Sequence, residues 1–125
     1  MFYESRRKER DPTLIAKIAK GYEHLIDLTH FENDNMALEG KGAIVHDHRN
    51  RCFYIAKSNR AHVPVIDYLV EKWNAICVDG DTKPYKAITF DAKDRHGDVI
   101  YHTDCLMTVH EKHAFVCISA IPDLD

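Results

Sequence analysis

The pattern of apolar positions near the start of the chain predicts a short helix. Three apolar residues lie at helical spacing, namely Leu14, Ile15 and Ile18. Asp11 precedes Pro12, and these residue types are typical of an N-cap and a first helical position. We therefore predict a helix over residues 12–20 that ends near Gly21, because glycine suits the end of a helix.

A second apolar stripe farther along the chain predicts a longer helix. Its members recur at steps of three and four residues and are Val63, Ile66, Leu69, Val70 and Trp73. Pro64 suits the first turn of such a helix, where its missing backbone N–H would have no intrahelical partner. The pattern predicts an amphipathic helix that Trp73 anchors in the core.

Six short apolar segments predict β-strands. They span residues 24–29, 42–45, 52–56, 86–91, 99–109 and 114–119. A polar turn at 47–50 joins the second and third segments and indicates a hairpin, and a polar turn at 110–113 joins the last two.

The order of these elements is α-β, then β-β-α-β, then β-β. It predicts a mixed α/β (α+β) domain that spans residues 1–125. One complete ββαβ unit lies at about 42–91, and partial units lie at 1–30 and 99–125. Units of this kind bury their faces against neighbouring units, so the chain has the organisation of a segment of a longer repeat fold.

Composition and charge limit the class of protein. Hydrophobic residues make up 45% and charged residues 30% of the 125 residues, which is typical of one globular domain. Lys plus Arg is 17 and Asp plus Glu is 20, and the formal charge of −3 argues against a strongly basic nucleic-acid binder. No apolar run reaches the ~20 residues of a membrane helix. Charged residues fill the start of the chain, where a signal peptide needs apolar ones. We expect a cytoplasmic protein with reduced cysteines and with neither nucleic acid nor membrane as a partner.

Two short polar motifs carry candidate chemistry. Glu39 precedes Gly40 and Gly42, so a carboxylate stands at the mouth of a predicted strand where a ligand can approach the backbone closely. On a strand, His102 and Asp104 would share one face, which suits a general acid/base beside a cation-binding carboxylate. Taken alone, the first motif is more typical of a glutamate in an exposed loop. The second is more typical of a histidine and an aspartate with a purely structural role.

Two pairs of histidines suggest a metal site. On a strand, His46 and His48 would share a face, as zinc ligands can, and His110 and His113 form a second pair. Both pairs fall at predicted polar turns, and no two cysteines complete a zinc spacing. We therefore expect solvated turn histidines and predict neither a metal nor a cofactor. A small zinc-binding protein is the weakest of the hypotheses.

Five ordered segments together resemble the guanidine-modifying, or amidinotransferase, superfamily. They span residues 2–10, 24–32, 38–45, 55–60 and 100–104. The third is similar to the Leu-Glu-Gly-Thr-Gly motif of that superfamily, and the last is similar to its Tyr-His-Thr-Asn motif. Within the superfamily the chain most resembles the citrulline-utilisation hydrolase branch, which is related to arginine deiminase and dimethylargininase.

The resemblance implies a five-bladed α/β propeller of ββαβ blades, of which this chain forms about two. It also implies cleavage of a carbon–nitrogen bond, in which a cysteine thiolate attacks the guanidinium carbon and a histidine handles the protons. By position, Glu39 is the guanidinium-binding carboxylate, His102 the catalytic histidine and Asp104 a second guanidinium-binding carboxylate. Lys41 stands where the motif has threonine, which places a cation near Glu39.

The nucleophile of that mechanism has no counterpart here. None of the four cysteines lies in a sequence that resembles the nucleophile motif of the superfamily; they are Cys52, Cys77, Cys105 and Cys117. We therefore predict a fragment of a hydrolase or amidinotransferase for arginine-like or citrulline-like amino acids, inactive by itself, whose cysteine another segment or chain supplies. The alternative is a catalytically dead propeller remnant that acts as a binding or oligomerisation module through exposed blade faces.

Overall fold

The computed structural model describes residues 1, 3–80 and 82–122, which form a mixture of helices and strands. The helices are α1 (Pro12–Ala19), α2 (Gly40–Ala43) and α3 (Val63–Cys77). The strands are β1 (Val45–Asp47), β2 (Cys52–Ala56), β3 (Lys86–Phe90), β4 (Met107–Val109) and β5 (Ala114–Val116). Short 3₁₀ turns lie at Glu4–Glu9, Thr29–Asp34, Thr103–Cys105 and Ile118–Ala120. The predicted α+β class is confirmed.

Helix α1 begins where the sequence predicts, because Asp11 caps it. The Asp11 Oδ1 atom accepts hydrogen bonds from the backbone N–H groups of Thr13 (2.9 Å) and Leu14 (3.1 Å). The apolar stripe of this helix stays at the surface, since Leu14 and Ile18 are each 53% exposed. Local capping, rather than burial of the stripe, accounts for the start of α1.

The elements β1, β2, α3 and β3 form the predicted ββαβ unit. Strand β1 runs antiparallel to β2, with Val45 opposite Tyr54, and β2 runs parallel to β3. Helix α3 is the crossover connection that two parallel neighbours require. The hairpin prediction is confirmed, but its first strand begins at Val45 rather than at residue 42, because residues 40–43 wind into α2.

Strand β2 lies at the centre of the core because both of its faces are covered. Phe53 and Ile55 pack into one cluster with the buried residues of α3, which are Val65, Ile66 and Leu69. Ala56 belongs to a second cluster, whose other buried members are Val45, Ala92, Leu106, Met107 and Ala120. Side chains alternate along a strand, so β2 separates the two clusters and connects α3 with the region of β4.

Strands β4 and β5 form a two-stranded hairpin. Met107 lies opposite Val116, and across the predicted turn the His110 N–H donates to the His113 carbonyl at 2.8 Å. The predicted strands 99–109 and 114–119 are wrong in length. The chain winds into 3₁₀ turns before β4 and after β5, so each strand keeps only three residues.

The predicted strand at residues 24–29 is wrong. None of the described strand pairs includes this segment. Asp27 instead closes a local turn, because its Oδ1 atom accepts from the N–H (2.8 Å) and from the hydroxyl (2.7 Å) of Thr29. A strand needs a hydrogen-bonded neighbour, whereas an aspartate can satisfy the backbone locally.

The described sheets have three strands and two strands, and they do not close into a ring. The propeller arrangement and the boundaries of its blades therefore stay predictions. Within the described ranges, each helix is too short or too polar to cross a membrane.

Candidate active site

Glu39 and His102 are in direct contact although they are 63 positions apart in the chain. The His102 Nε2 atom lies 3.1 Å from Oε2 of Glu39. Glu39 stands at the N-terminus of α2, and its backbone N–H donates to the Arg60 carbonyl at 3.0 Å. That bond joins the segment before α2 to the turn that follows β2. The backbone that carries the Glu39 carboxylate is therefore held in place where this carboxylate contacts the His102 imidazole.

A buried threonine holds the His102 turn in place. The Thr103 hydroxyl donates to the Ala43 carbonyl of α2 at 2.6 Å and accepts the Ala56 N–H of β2 at 2.8 Å. Gly42 makes the approach of the ring possible, since a Cβ atom at this position would lie 3.1 Å from the His102 ring. Gly42, the second glycine of the Glu-Gly-Lys-Gly motif, thus has a packing role beside the imidazole.

Arg60 is the third polar side chain of this group. Its Nη1 atom lies 3.1 Å from Oε2 of Glu39, and its guanidinium carbon lies 4.1 Å from the centre of the Tyr101 ring. The same carbon lies 5.1 Å from the centre of the Tyr3 ring. The backbone N–H of Tyr3 donates to the other carboxylate oxygen, Oε1, at 3.1 Å.

The site keeps Glu39 ionised. Burial by itself would raise the pKa of the Glu39 carboxyl. Hydrogen bonds from His102 and Arg60, and one from the backbone of Tyr3, outweigh burial and lower that pKa below its ordinary value of 4.5. At neutral pH the carboxylate is therefore charged and suited to hold a cation.

A polar cavity of about 560 Å³ opens onto these groups. It is lined by Met1, Arg6, Glu9, Glu39, Gly40, Gly42, Arg60, Tyr101 and His102. A carboxylate can bind the planar N–H edge of a guanidinium, and an imidazole can accept or donate a proton at the same place. The arrangement suits recognition of a guanidino group together with proton transfer.

Asp104 does not line this cavity, although the sequence places it two residues after His102. It is exposed and lies beside a separate shallow depression that Cys105 and Cys117 also line. Residues 103–105 form a 3₁₀ turn, so the alternation of a strand, on which the shared face depends, does not apply here. The role of Asp104 in binding a guanidinium stays a prediction.

Two further sequence expectations concern Lys41 and the histidine pairs. Lys41 lines a different cavity from Glu39, so its ammonium group is not among the groups that face the site. His46 is not a solvated turn residue. The centre of its ring lies 3.6 Å from the centre of the His48 ring and 4.7 Å from the centre of the Phe53 ring. Burial of the imidazole lowers the pKa of His46, and the neighbouring His48 lowers it further.

The described residues place neither a cluster of metal ligands nor a cysteine at the site. Within residues 1, 3–80 and 82–122, no three His, Cys, Asp or Glu side chains are grouped as metal ligands. The four cysteines are free thiols, and none of them lines the cavity of Glu39 and His102.

Sequence reasoning gave no role to Arg60, Tyr101 or Tyr3. All three residues fall inside the segments that carry the family resemblance, and Tyr101 directly precedes His102. Those two facts are the signals that could have drawn attention to them. Their convergence on Glu39 depends on contacts between distant parts of the chain.

Comparison with known families identifies the class of protein. A family model described as "N,N dimethylarginine dimethylhydrolase, eukaryotic" matches residues 1–125. The protein is therefore of the guanidine-modifying class that its motifs predict. The chain belongs to the eukaryotic N,N dimethylarginine dimethylhydrolase family. The closer likeness to the citrulline-utilisation branch stays a prediction. No curated protein and no solved structure matches the chain significantly.

Proposed function

We propose that this chain carries the guanidinium-binding and proton-transfer groups for hydrolysis of methylated arginine. The observation that supports this most directly is the 3.1 Å contact between Glu39 and His102 at the edge of a polar cavity. Membership of the dimethylarginine dimethylhydrolase family supports the same substrate class, a small guanidino amino acid. Glu39 holds the charged guanidinium, and His102 serves as general acid and then as general base.

The reaction has two steps in this proposal. A cysteine thiolate adds to the guanidinium carbon, and dimethylamine leaves with a proton from protonated His102. Neutral His102 then takes one proton from water, whose oxygen adds to the same carbon. The adduct expels the thiolate and loses the second proton of the water to the released dimethylamine, which leaves a ureido amino acid, citrulline. None of the four cysteines lines the cavity, so we propose that the thiolate comes from outside these 125 residues.

We also propose that the ββαβ unit is one blade of an α/β propeller. The antiparallel hairpin, the crossover helix α3 and the parallel third strand support this assignment. The Thr103 bonds to α2 and β2 would then hold the His102 turn against the inner end of that blade.

Binding of N,N-dimethylarginine tests the proposed function. The purified chain is titrated calorimetrically, and circular dichroism confirms that each variant keeps its fold. We expect Glu39→Gln to weaken binding by roughly tenfold or more, because the charge that balances the guanidinium is lost. Asp104→Asn removes a carboxylate of the same size outside the cavity and is the matched control, for which we expect a smaller effect.

Two results would overturn the proposal. One is no binding by the wild-type chain, and the other is equal binding by wild type and Glu39→Gln. A parallel assay for citrulline addresses the nucleophile. Citrulline formation by the chain alone would contradict an external thiolate.

The alternative function is self-association without catalysis. Exposed apolar side chains on α1 and on the segment after it favour this alternative, including Leu14, Ile18 and Leu25. Light scattering at micromolar concentration tests it with Ile18→Asp as the comparison. Dimers of the wild-type chain that dissociate in Ile18→Asp would support a second copy as the partner, and a monomeric wild-type chain would exclude it.

A further inference from the structure

Two of the four cysteines lie together at the surface, beside the turn that follows His102. Cys105 and Cys117 are both exposed, and both line one shallow depression. The other two thiols lie elsewhere, since Cys52 is buried in β2 and Cys77 ends α3 beside a different, apolar cavity. A reagent in solvent can therefore reach both thiols of the pair from one place.

The hairpin of β4 and β5 brings the two cysteines close together. Its register places Met107 opposite Val116. One step further along, the Cys117 N–H donates to the Leu106 carbonyl at 2.8 Å, so Cys117 stands opposite the residue that follows Cys105. Paired residues of such a rung lie about 5.5 Å apart and consecutive residues about 3.8 Å apart, which puts the two cysteine Cα atoms roughly 6–7 Å apart. A disulfide spans Cα–Cα distances up to about 6.8 Å, so the backbone spacing allows one.

A break in the strand alternation turns both cysteines toward the same depression. In a regular hairpin Cys105 would face away from Cys117, because neighbours along a strand alternate and Leu106 is the residue opposite Cys117. Leu106 instead has helical backbone angles (φ −106°, ψ −34°), since its N–H donates to the Thr103 carbonyl at 3.0 Å and ends the 3₁₀ turn. The alternation stops at this residue, and the two cysteines line one depression.

The backbone connects the cysteine pair to the candidate active site. The Cys105 N–H donates to the His102 carbonyl at 3.2 Å and so closes the turn that follows the imidazole. Cys117 precedes another 3₁₀ turn, Ile118–Ala120, whose last residue is buried in the second core cluster. A covalent bond between the two cysteines would therefore join the His102 turn directly to this part of the core.

We propose that Cys105 and Cys117 form a reversible dithiol–disulfide pair, which couples oxidation by a small disulfide to the His102 turn. One cysteine thiolate attacks a sulfur of the small disulfide, such as oxidised glutathione, and releases one thiolate of that reagent. The second cysteine thiolate attacks the cysteine sulfur of the mixed disulfide, forms the bond between the two cysteines and releases the other thiolate. The two cysteines lose two electrons and the small disulfide gains them, and the two thiol protons pass to the two released thiolates.

This inference does not depend on the proposed hydrolysis, because neither thiol lines the cavity of Glu39 and His102. The experiment treats the folded chain with mixtures of reduced and oxidised glutathione. Intact mass spectrometry detects the loss of two hydrogen atoms, and peptide mapping identifies the bonded pair. We expect the bond in wild type and in Cys77→Ser, which removes an exposed thiol elsewhere and is the matched control. In Cys105→Ser we expect no such bond and glutathione on the remaining cysteine of the pair.

The same mixtures applied to the urea-unfolded chain test whether the fold brings the two thiols together. We expect the equilibrium constant for bond formation to be about tenfold or more higher in the folded chain, because folding has already removed the entropy cost of closing the loop. An equal or lower constant in the folded chain would overturn the proposal. A folded wild-type chain that carries glutathione on both Cys105 and Cys117 would overturn it as well.

The NMR signals of the His102 ring test the coupling to the site. We expect them to shift when the wild-type chain is oxidised and to return on reduction with dithiothreitol. In Cys105→Ser, which has no thiol on the turn, the same treatment should leave them in place. Unchanged His102 signals in a wild-type chain that has formed the bond would overturn the coupling.

Discussion

Helices α1 and α3 were predicted from the same kind of apolar stripe, and they differ in what covers that stripe. In α3, Ile66 is fully buried and Leu69 is 9% exposed. In α1, Leu14 and Ile18 are each 53% exposed. The two helices also differ at their N-termini, because Asp11 caps α1 with two side-chain bonds and His62 makes no such bond to α3.

The difference shows that a helix can form from local signals or from packing. Helix α1 has a side-chain cap, and its stripe is about half exposed. Helix α3 has no side-chain cap and is held by the sheet beneath it. Periodicity predicts both helices equally well, since it reports one apolar face and not the partner of that face.

The largest test of this comparison removes the same side chain from each helix. Ile66→Ala in α3 should lower the free energy of unfolding by about 2–5 kcal/mol, because it leaves a cavity in the core. Ile18→Ala in α1 should change it by less than about 0.5 kcal/mol, as expected at an exposed position. Urea denaturation followed by circular dichroism measures both values. Equal losses in the two variants would mean that α1 packs as tightly as α3.

The second test concerns the connection between the core and the site. Thr103→Val keeps the shape of the side chain but removes its hydroxyl bonds to Ala43 and Ala56. We expect the free energy of unfolding to fall by about 1–3 kcal/mol, because two buried backbone groups lose their partner. Thr108→Val, at an exposed position of β4, is the control and should change it little. If the two threonine variants lose equal stability, Thr103 does not anchor the His102 turn.

The smallest expected effect concerns Glu39, which joins the N-terminal side of the molecule to the core through the Tyr3 N–H. Its folded pKa lies below the ordinary value of 4.5, so ionised Glu39 stabilises the folded state above about pH 4.5. That contribution is lost as the pH falls through the lowered pKa. In Glu39→Gln the free energy of unfolding should therefore fall less steeply than in wild type between about pH 5 and pH 3.

Urea denaturation at several pH values measures this slope. Glu23→Gln, at an exposed position, provides the control and should keep the slope of the wild type. Equal slopes for wild type and Glu39→Gln would mean that the partners of Glu39 do not lower its pKa in the folded state, and would contradict this prediction.

The order of motifs located much of the site in the sequence, but it did not predict how the side chains of the site are arranged. The motifs drew attention to Glu39 and His102, and the structure places the two side chains in contact. The same motif also placed Asp104 beside His102, where a 3₁₀ turn replaces the expected strand. Arg60 and Tyr101 entered the site only through contacts across the fold.

The sequence by itself determined the elements whose hydrogen bonds close locally. Helix α1 with its Asp11 cap and the hairpin of β1 and β2 both follow from neighbouring residues. Outside that hairpin, only the tertiary structure decided which of the predicted segments become strands, because such a strand needs a partner from elsewhere in the chain. It likewise decided the contact of Glu39 with His102, which depends on the buried bonds of Thr103 to α2 and β2.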